Sequence, residues 1–196
     1  MILRERIVHE SLRLFSLKGF LSTSINDIME AANTSKGGFY NHFASKEELF
    51  FEVLREAQRI WREKTFAGLD EIESPTEKIV RFLKNYRDRY LKDDNNFPGG
   101  CIFVTFSVEL DDQYPHLCKE VNKGFVGLKT MLKRLLDEGK ERGELNNDAS
   151  TSAIMEMIFA GMLGASVIYG VDKSTESLDN SINTLIHYLE KLKPSQ

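Results

Sequence analysis

Apolar residues recur at helical spacing along almost the whole chain, and no run of strict alternation is long enough for a convincing strand. The pattern predicts an all-α protein of about nine helices. Leu3, Ile7 and Leu14, with Val8, Leu12 and Phe15 on the adjoining stripe, predict a first helix over 3–17 that Gly19 stops. In Thr23-Ser24-Ile25-Asn26-Asp27 a hydroxyl precedes an acid by three positions, which satisfies the free N–H groups of a helix start, so a second helix runs to about 32. Asn33 suits the left-handed conformation of a tight turn, and a very short third helix follows over 35–42. Ser45-Lys46-Glu47-Glu48 repeats the capping pattern and opens a long fourth helix, with Leu49, Phe50, Val53, Leu54, Ala57, Ile60 and Trp61 on its apolar face, reaching about 66.

Ser74-Pro75-Thr76-Glu77 joins a cap, proline at the first helical position and a reciprocating acid, and predicts a fifth helix to about 91. Asp93 to Gly100 reads as a loop. Further helices are expected over 101–110, from Pro115 to about 143, over 148–169 and over 175–192, the last carrying Leu178, Ile182, Leu185, Leu189 and Leu192 on one face.

Charge narrows the class. The 196 residues hold 26 basic and 30 acidic side chains, a formal net charge of −4, so the molecule as a whole carries no basic signature of nucleic-acid binding. Residues 1–64 hold 10 basic against 9 acidic, leaving 16 against 21 for the rest, so any DNA contact must rest on local residues. Two cysteines, Cys101 and Cys118, make no disulfide framework, and Met1-Ile2-Leu3-Arg4-Glu5-Arg6 turns charged at once, which points to a cytoplasmic protein. The charge-free run from Met157 to Val171 is shorter than the roughly 20 residues of a membrane span and reads as a buried helix, so no membrane partner is expected.

Two helices joined by a tight turn, the second short and polar, form a helix-turn-helix whose second helix enters the major groove. Gly37 and Gly38 each cost about 1 kcal/mol in a helix interior, which is unfavourable unless the backbone must approach something such as a phosphate. Ser35, Lys36, Tyr40, Asn41 and His42 can form hydrogen bonds, while Phe39 and Phe43, four apart, anchor the opposite side. Leu14-Phe15 with Gly19-Phe20, then Thr23 to Ala32, then Ser35 to Leu49 resemble the DNA-binding domain of the tetracycline-repressor-like (TetR) family, continuously over about 45 residues. Gly100-Cys101 and Glu109-Leu110 resemble one subgroup of it.

The resemblance implies an all-helical homodimer, a repressor released by a small molecule from a near-palindromic operator of double-stranded DNA. Its domains would be 1–46, the helix-turn-helix with the start of the connecting helix, and 47–196, a helical bundle for effector binding and dimerisation. By position, Thr23 or Ser24 and Lys46 would hold phosphates, with Tyr40 and His42 adding backbone contacts and Gly37 and Gly38 allowing close approach. Ser35, Lys36 and Asn41 would reach base edges, Lys36 suited to guanine and Asn41 to adenine. The family usually has glycine where Asn33 stands and a side chain where Gly38 stands.

Beyond that resemblance, Ala160, Gly161, Gly164 and Ala165 lie at helical spacing on nearly one face, and with Ile182, Leu185 and Leu189 they would pair two subunits into a four-helix bundle. An apolar effector cavity would draw on Phe82, Tyr86, Tyr90, Phe103, Phe106, Phe125, Met131, Met155, Phe159 and Met162, a set that overlaps with ordinary core. Cys101, following two glycines at a helix start, is a candidate electrophile or redox sensor, though Ile102, Phe103 and Val104 argue for burial. A helical enzyme or an adaptor without a DNA role competes less well. His116, Cys118 and Glu120, or Cys101 with His116 and Cys118, match no recognised catalytic or metal spacing, and no Gly-rich phosphate loop occurs, so no cofactor, metal or catalytic residue is expected.

Overall fold

The structure, a computed structural model, describes residues 2–110 and 113–194. Among them are nine α-helices, one π-helical segment and no strand: α1 (Leu3–Lys18), α2 (Ile25–Ala31), α3 (Lys36–Tyr40), α4 (Lys46–Thr65), α5 (Pro75–Asn85), the π segment (Tyr86–Leu91), α6 (Ile102–Glu109), α7 (Pro115–Glu141), α8 (Thr151–Asp172) and α9 (Thr175–Lys191). The chain divides into two compact units, Met1–Arg62 with Lys92–Val121, and Glu63–Leu91 with Asn122–Gln196. A cut at 46 falls on the first residue of α4, whereas the unit holding α1–α3 also takes in most of α4 and all of α6.

In the first unit the core is aromatic. Phe20 lies edge-on to Phe15 at 5.5 Å and to Phe50 at 5.3 Å, and Phe106 of α6 meets Phe50 at 4.8 Å and Phe15 at 6.1 Å. Each such pair is worth about 0.5–1.5 kcal/mol beyond the area it buries. The loop before α6 is tied to the end of α1: Gly99 N donates to Ser16 Oγ at 3.0 Å, and that hydroxyl donates to Gly100 O at 3.4 Å. A Cβ on Gly99 would collide with the Ser16 carbonyl, so glycine is required by the closeness of two backbones.

In the second unit the Ser74 cap accepts from Glu77 N at 3.2 Å, and Glu144 gathers the same corner by accepting from Ser74 Oγ at 2.7 Å and Thr76 Oγ1 at 2.6 Å. Burial pushes the Glu144 carboxyl up, but these hydrogen bonds outweigh it and hold the group below its ordinary value. Helix α5 does not run regularly to 91. Its last turn widens into the π segment, which keeps Tyr86 and Tyr90 buried with their rings 5.6 Å apart, while Asn85 Nδ2 donates to the Thr65 and Ala67 carbonyls at 3.0 and 2.9 Å.

Helices α8 and α9 pack closely at Gly161, where an added Cβ would lie 2.7 Å from Leu185 Cδ2. Length and composition alone would let α8 pass for a membrane span, but Ile154, Met155, Ile158, Met162, Ala165 and Tyr169 are buried in its own unit.

Candidate DNA-reading site

Each turn of the helix-turn-helix has a local cause. Ser24 caps α2: its Oγ accepts from Asp27 N at 3.1 Å, and Asp27 returns the bond by accepting from Ser24 N at 2.7 Å, which holds that carboxyl below its usual range. Between α2 and α3, Thr34 N donates to Met29 O and Asn33 N to Glu30 O, with Asn33 left-handed at φ 45°. This is the double closure usually built on glycine, so Asn33 performs the glycine's task. Arg6 Nε on α1 donates to Ala32 O at 2.7 Å and fixes the turn from behind.

Ser35 caps α3 by accepting from Gly38 N at 3.1 Å. The helix is only five residues long and separates its faces cleanly. Phe39 and Phe43 are buried with rings 5.9 Å apart, while Ser35, Lys36, Gly37, Tyr40, Asn41 and His42 are exposed. The Tyr40 ring stands edge-on to Phe39 at 5.2 Å, which sets its phenol outward. A Cβ on Gly37 would meet nothing closer than Ser35 Oγ at 3.9 Å, so its missing side chain answers no need inside the chain; one on Gly38 would crowd the Thr34 hydroxyl.

Two expected phosphate ligands are used internally. Thr23 is buried and its hydroxyl donates to Gly19 O at 2.6 Å, whereas Ser24 is exposed, with its hydroxyl donating to Asp27 Oδ2 at 2.8 Å. The Lys46 ammonium donates to Phe20 O at 2.8 Å and Thr23 O at 2.9 Å; burial pushes its pKa down, and nearby Glu109 opposes that.

The remaining sequence candidates scatter. Phe106 belongs to the aromatic core of the first unit, and Phe103 of the same unit meets Trp61 at 6.4 Å. Phe82, Tyr86, Tyr90 and Met162 are buried in the second unit, where Tyr86 OH donates to Met162 O at 3.4 Å; Phe125 meets Phe159 at 5.5 Å, and Met131 is half-buried. An open groove of about 820 Å³ along α7 and α8 is lined by Val126, Lys129, Lys133, Arg134 and Asp137 among others, and of the expected set only Met155 reaches it.

Of the expected dimer residues, Gly161, Ala165, Ile182, Leu185 and Leu189 are consumed by packing within the chain, while Ala160 and Gly164 face outward. The outward stripe of α8 continues through Met157, Val167, Ile168 and Val171, a set that sequence pattern missed because the helix is apolar on every side. His116 pairs with Glu47 at 2.9 Å.

Cys101 sits at the start of α6, 7% exposed, whereas Cys118 is half-buried. Thiol attack needs access, so a maleimide should label Cys118 before Cys101 in the native chain, read by mass spectrometry of the digest. Faster labelling of Cys101 would contradict this burial.

A capped helix-turn-helix with a polar outer face, joined to a second helical unit, defines a DNA-binding transcriptional regulator. Residues 7–53 match the model described as bacterial regulatory proteins of the tetR family, and residues 75–185 match the tetracyclin repressor-like C-terminal domain. The chain belongs to the tetracycline-repressor-like family, whose members are ligand-responsive regulators of transcription. It is 27% identical over 192 residues to the HTH-type transcriptional repressor DhaR of Mycobacterium sp. strain GP1, covering 98% of this chain and 93% of that protein. It is 25% identical over 188 residues to the HTH-type transcriptional repressor NemR of Escherichia coli K12, covering 91% and 89%. Among solved structures, a TetR transcriptional regulator from Chloroflexus aurantiacus J-10-fl superposes with a TM-score of 0.87 at 29% identity, over 95% of this chain and 93% of that one.

Proposed function

We propose that this chain is a homodimeric cytoplasmic repressor whose two α3 helices occupy successive major grooves of a near-palindromic operator, about 34 Å apart, until a small apolar molecule releases it. The observation that carries the reading is the two-faced α3, Phe39 and Phe43 buried behind an exposed row of Lys36, Gly37, Tyr40, Asn41 and His42. In this reading Ser35, Lys36 and Asn41 reach base edges, Ser24, Tyr40 and His42 hold phosphates, and Lys46 supports the corner behind them. The effector is placed in the second unit against Tyr86, Tyr90 and Met162, an apolar setting with two phenols. The partner subunit is placed on the outward stripe of α8.

The deciding experiment is a gel shift on the duplex upstream of the chain's own gene beside a random duplex at physiological salt. Tighter binding to the first is expected, and equal affinity for both would overturn sequence-specific recognition.

Gly37 gives a sharper test of the face. Gly37→Ala should raise stability by about 0.5–1 kcal/mol, since alanine is the better helix former and the space is open. Operator affinity should fall about tenfold, because the added methyl stands between backbone and phosphate. Asn41→Ala should instead change which bases a selected pool prefers, read by sequencing the bound duplexes. Gly37→Ala that binds as tightly as the parent would remove this face from the DNA.

A further inference from the structure

We propose that Glu109, the last residue of α6, is a positioning residue for DNA binding, clamping the α1–α2 corner from which the reading helices depart. The inference rests on the DNA-binding reading and extends it to a residue outside the helix-turn-helix.

Both carboxylate oxygens are committed to that corner: Phe20 N donates to Oε2 and Leu21 N to Oε1, each at 2.7 Å. Beneath them Gly19 has φ 80°, and a Cβ there would lie 2.5 and 2.6 Å from the two oxygens. The corner is therefore shaped around the carboxylate, with consecutive N–H groups converging on one anion over a glycine. From the other side the Lys46 ammonium donates to Phe20 O at 2.8 Å and lies 4.3 Å from the centre of the Phe20 ring. Phe20 is thus held at its amide by an acid from α6 and at its carbonyl by a base from α4. One turn earlier on α6, Phe106 is buried against Phe15 and Phe50, which fixes the helix that carries Glu109.

The role makes a prediction of unusual sign. A carboxylate close to a DNA-binding face repels the duplex, so charge alone would make its neutralisation tighten binding, most at low salt. Positioning predicts the opposite. Glu109→Gln keeps the shape but turns an amide NH2 toward one of the two N–H groups, replacing a charge-assisted hydrogen bond with a donor–donor contact.

The test selects a binding duplex from a random pool with the parent chain and measures dissociation constants across a salt series for parent, Glu109→Gln and Glu109→Asp. Active fractions are counted by stoichiometric titration, and amide exchange is followed at Phe20 and Leu21. About tenfold weaker binding by Glu109→Gln at every salt, with faster exchange at both amides and partial recovery in Glu109→Asp, supports the clamp. Binding by Glu109→Gln that equals or exceeds the parent's overturns it, as does a smaller active fraction with an unchanged dissociation constant, which would make Glu109 merely structural. If Glu109→Gln does not fold, Glu109→Asp carries the same comparison. A parent chain that selects no duplex overturns the DNA-binding reading itself, an outcome distinct from a failure confined to Glu109.

Discussion

Gly99→Ala should melt about 6–12 °C below the parent chain, a loss of about 3 kcal/mol in a protein of this size. The new methyl would have to occupy the space of the Ser16 carbonyl, so the loop must lift off the end of α1, and the bond from Gly99 N to Ser16 Oγ goes with it. Backbone on both sides of the contact leaves no flexible side chain to swing away. The comparison is Gly127→Ala in α7, where an added Cβ meets nothing within 4 Å and where helix propensity predicts a gain of about 0.5–1 kcal/mol. Thermal unfolding followed by circular dichroism decides the matter, and equal melting of Gly99→Ala and parent would mean that the loop does not bear on α1.

The second large effect concerns assembly. Gly164 faces outward with nothing within 4 Å of its added Cβ, so Gly164→Leu has room inside its own chain and bulk only against a neighbour. Light scattering should move from dimer to the 22.5 kDa monomer with helical circular dichroism retained. Operator binding should fall about 10²–10⁴-fold, since one reading head no longer raises the effective concentration of the other. Gly161→Leu, one turn earlier, should behave differently. Its side chain strikes Leu185 of the same chain, so it should lower the melting temperature. A Gly164→Leu protein that stays dimeric would move the interface away from this stripe.

What the sequence disclosed is what neighbouring residues decide. Ser24 with Asp27, Ser45 with Glu48, and Ser74 with Pro75 and Glu77 each announced a helix start, because a cap and its partner lie within one turn. Two details of helix winding and start were not announced in this way. Helix α8 begins at Thr151 on the Ser150 cap rather than near Asp148, and α5 changes winding at Tyr86 although its apolar spacing continues. The face of α3 was legible because Phe39 and Phe43 mark its inside.

The supports behind that face were not legible. Glu109 and Phe20 stand 89 residues apart, Ser16 and Gly99 stand 83 apart, and no local pattern encodes which distant donor a carboxylate meets. For the same reason Lys46 looked like a ligand for DNA. A lysine at a helix start carries the same sequence signature whether its ammonium turns outward or back onto Phe20 and Thr23.

The π segment from Tyr86 to Leu91 bears on how this chain compares in length with its relatives. A turn closed five residues back rather than four holds one residue more than an α-turn while the helix axis continues. Arg89 is exposed within that turn, between the buried Tyr86 and Tyr90. A relative one residue shorter at this point would wind the same stretch as plain α-helix and still present both aromatic positions inward. The gap in an alignment would then fall inside a helix, where a gap is usually taken as an error, and here it would mark a change of winding between two chains that keep the same interior.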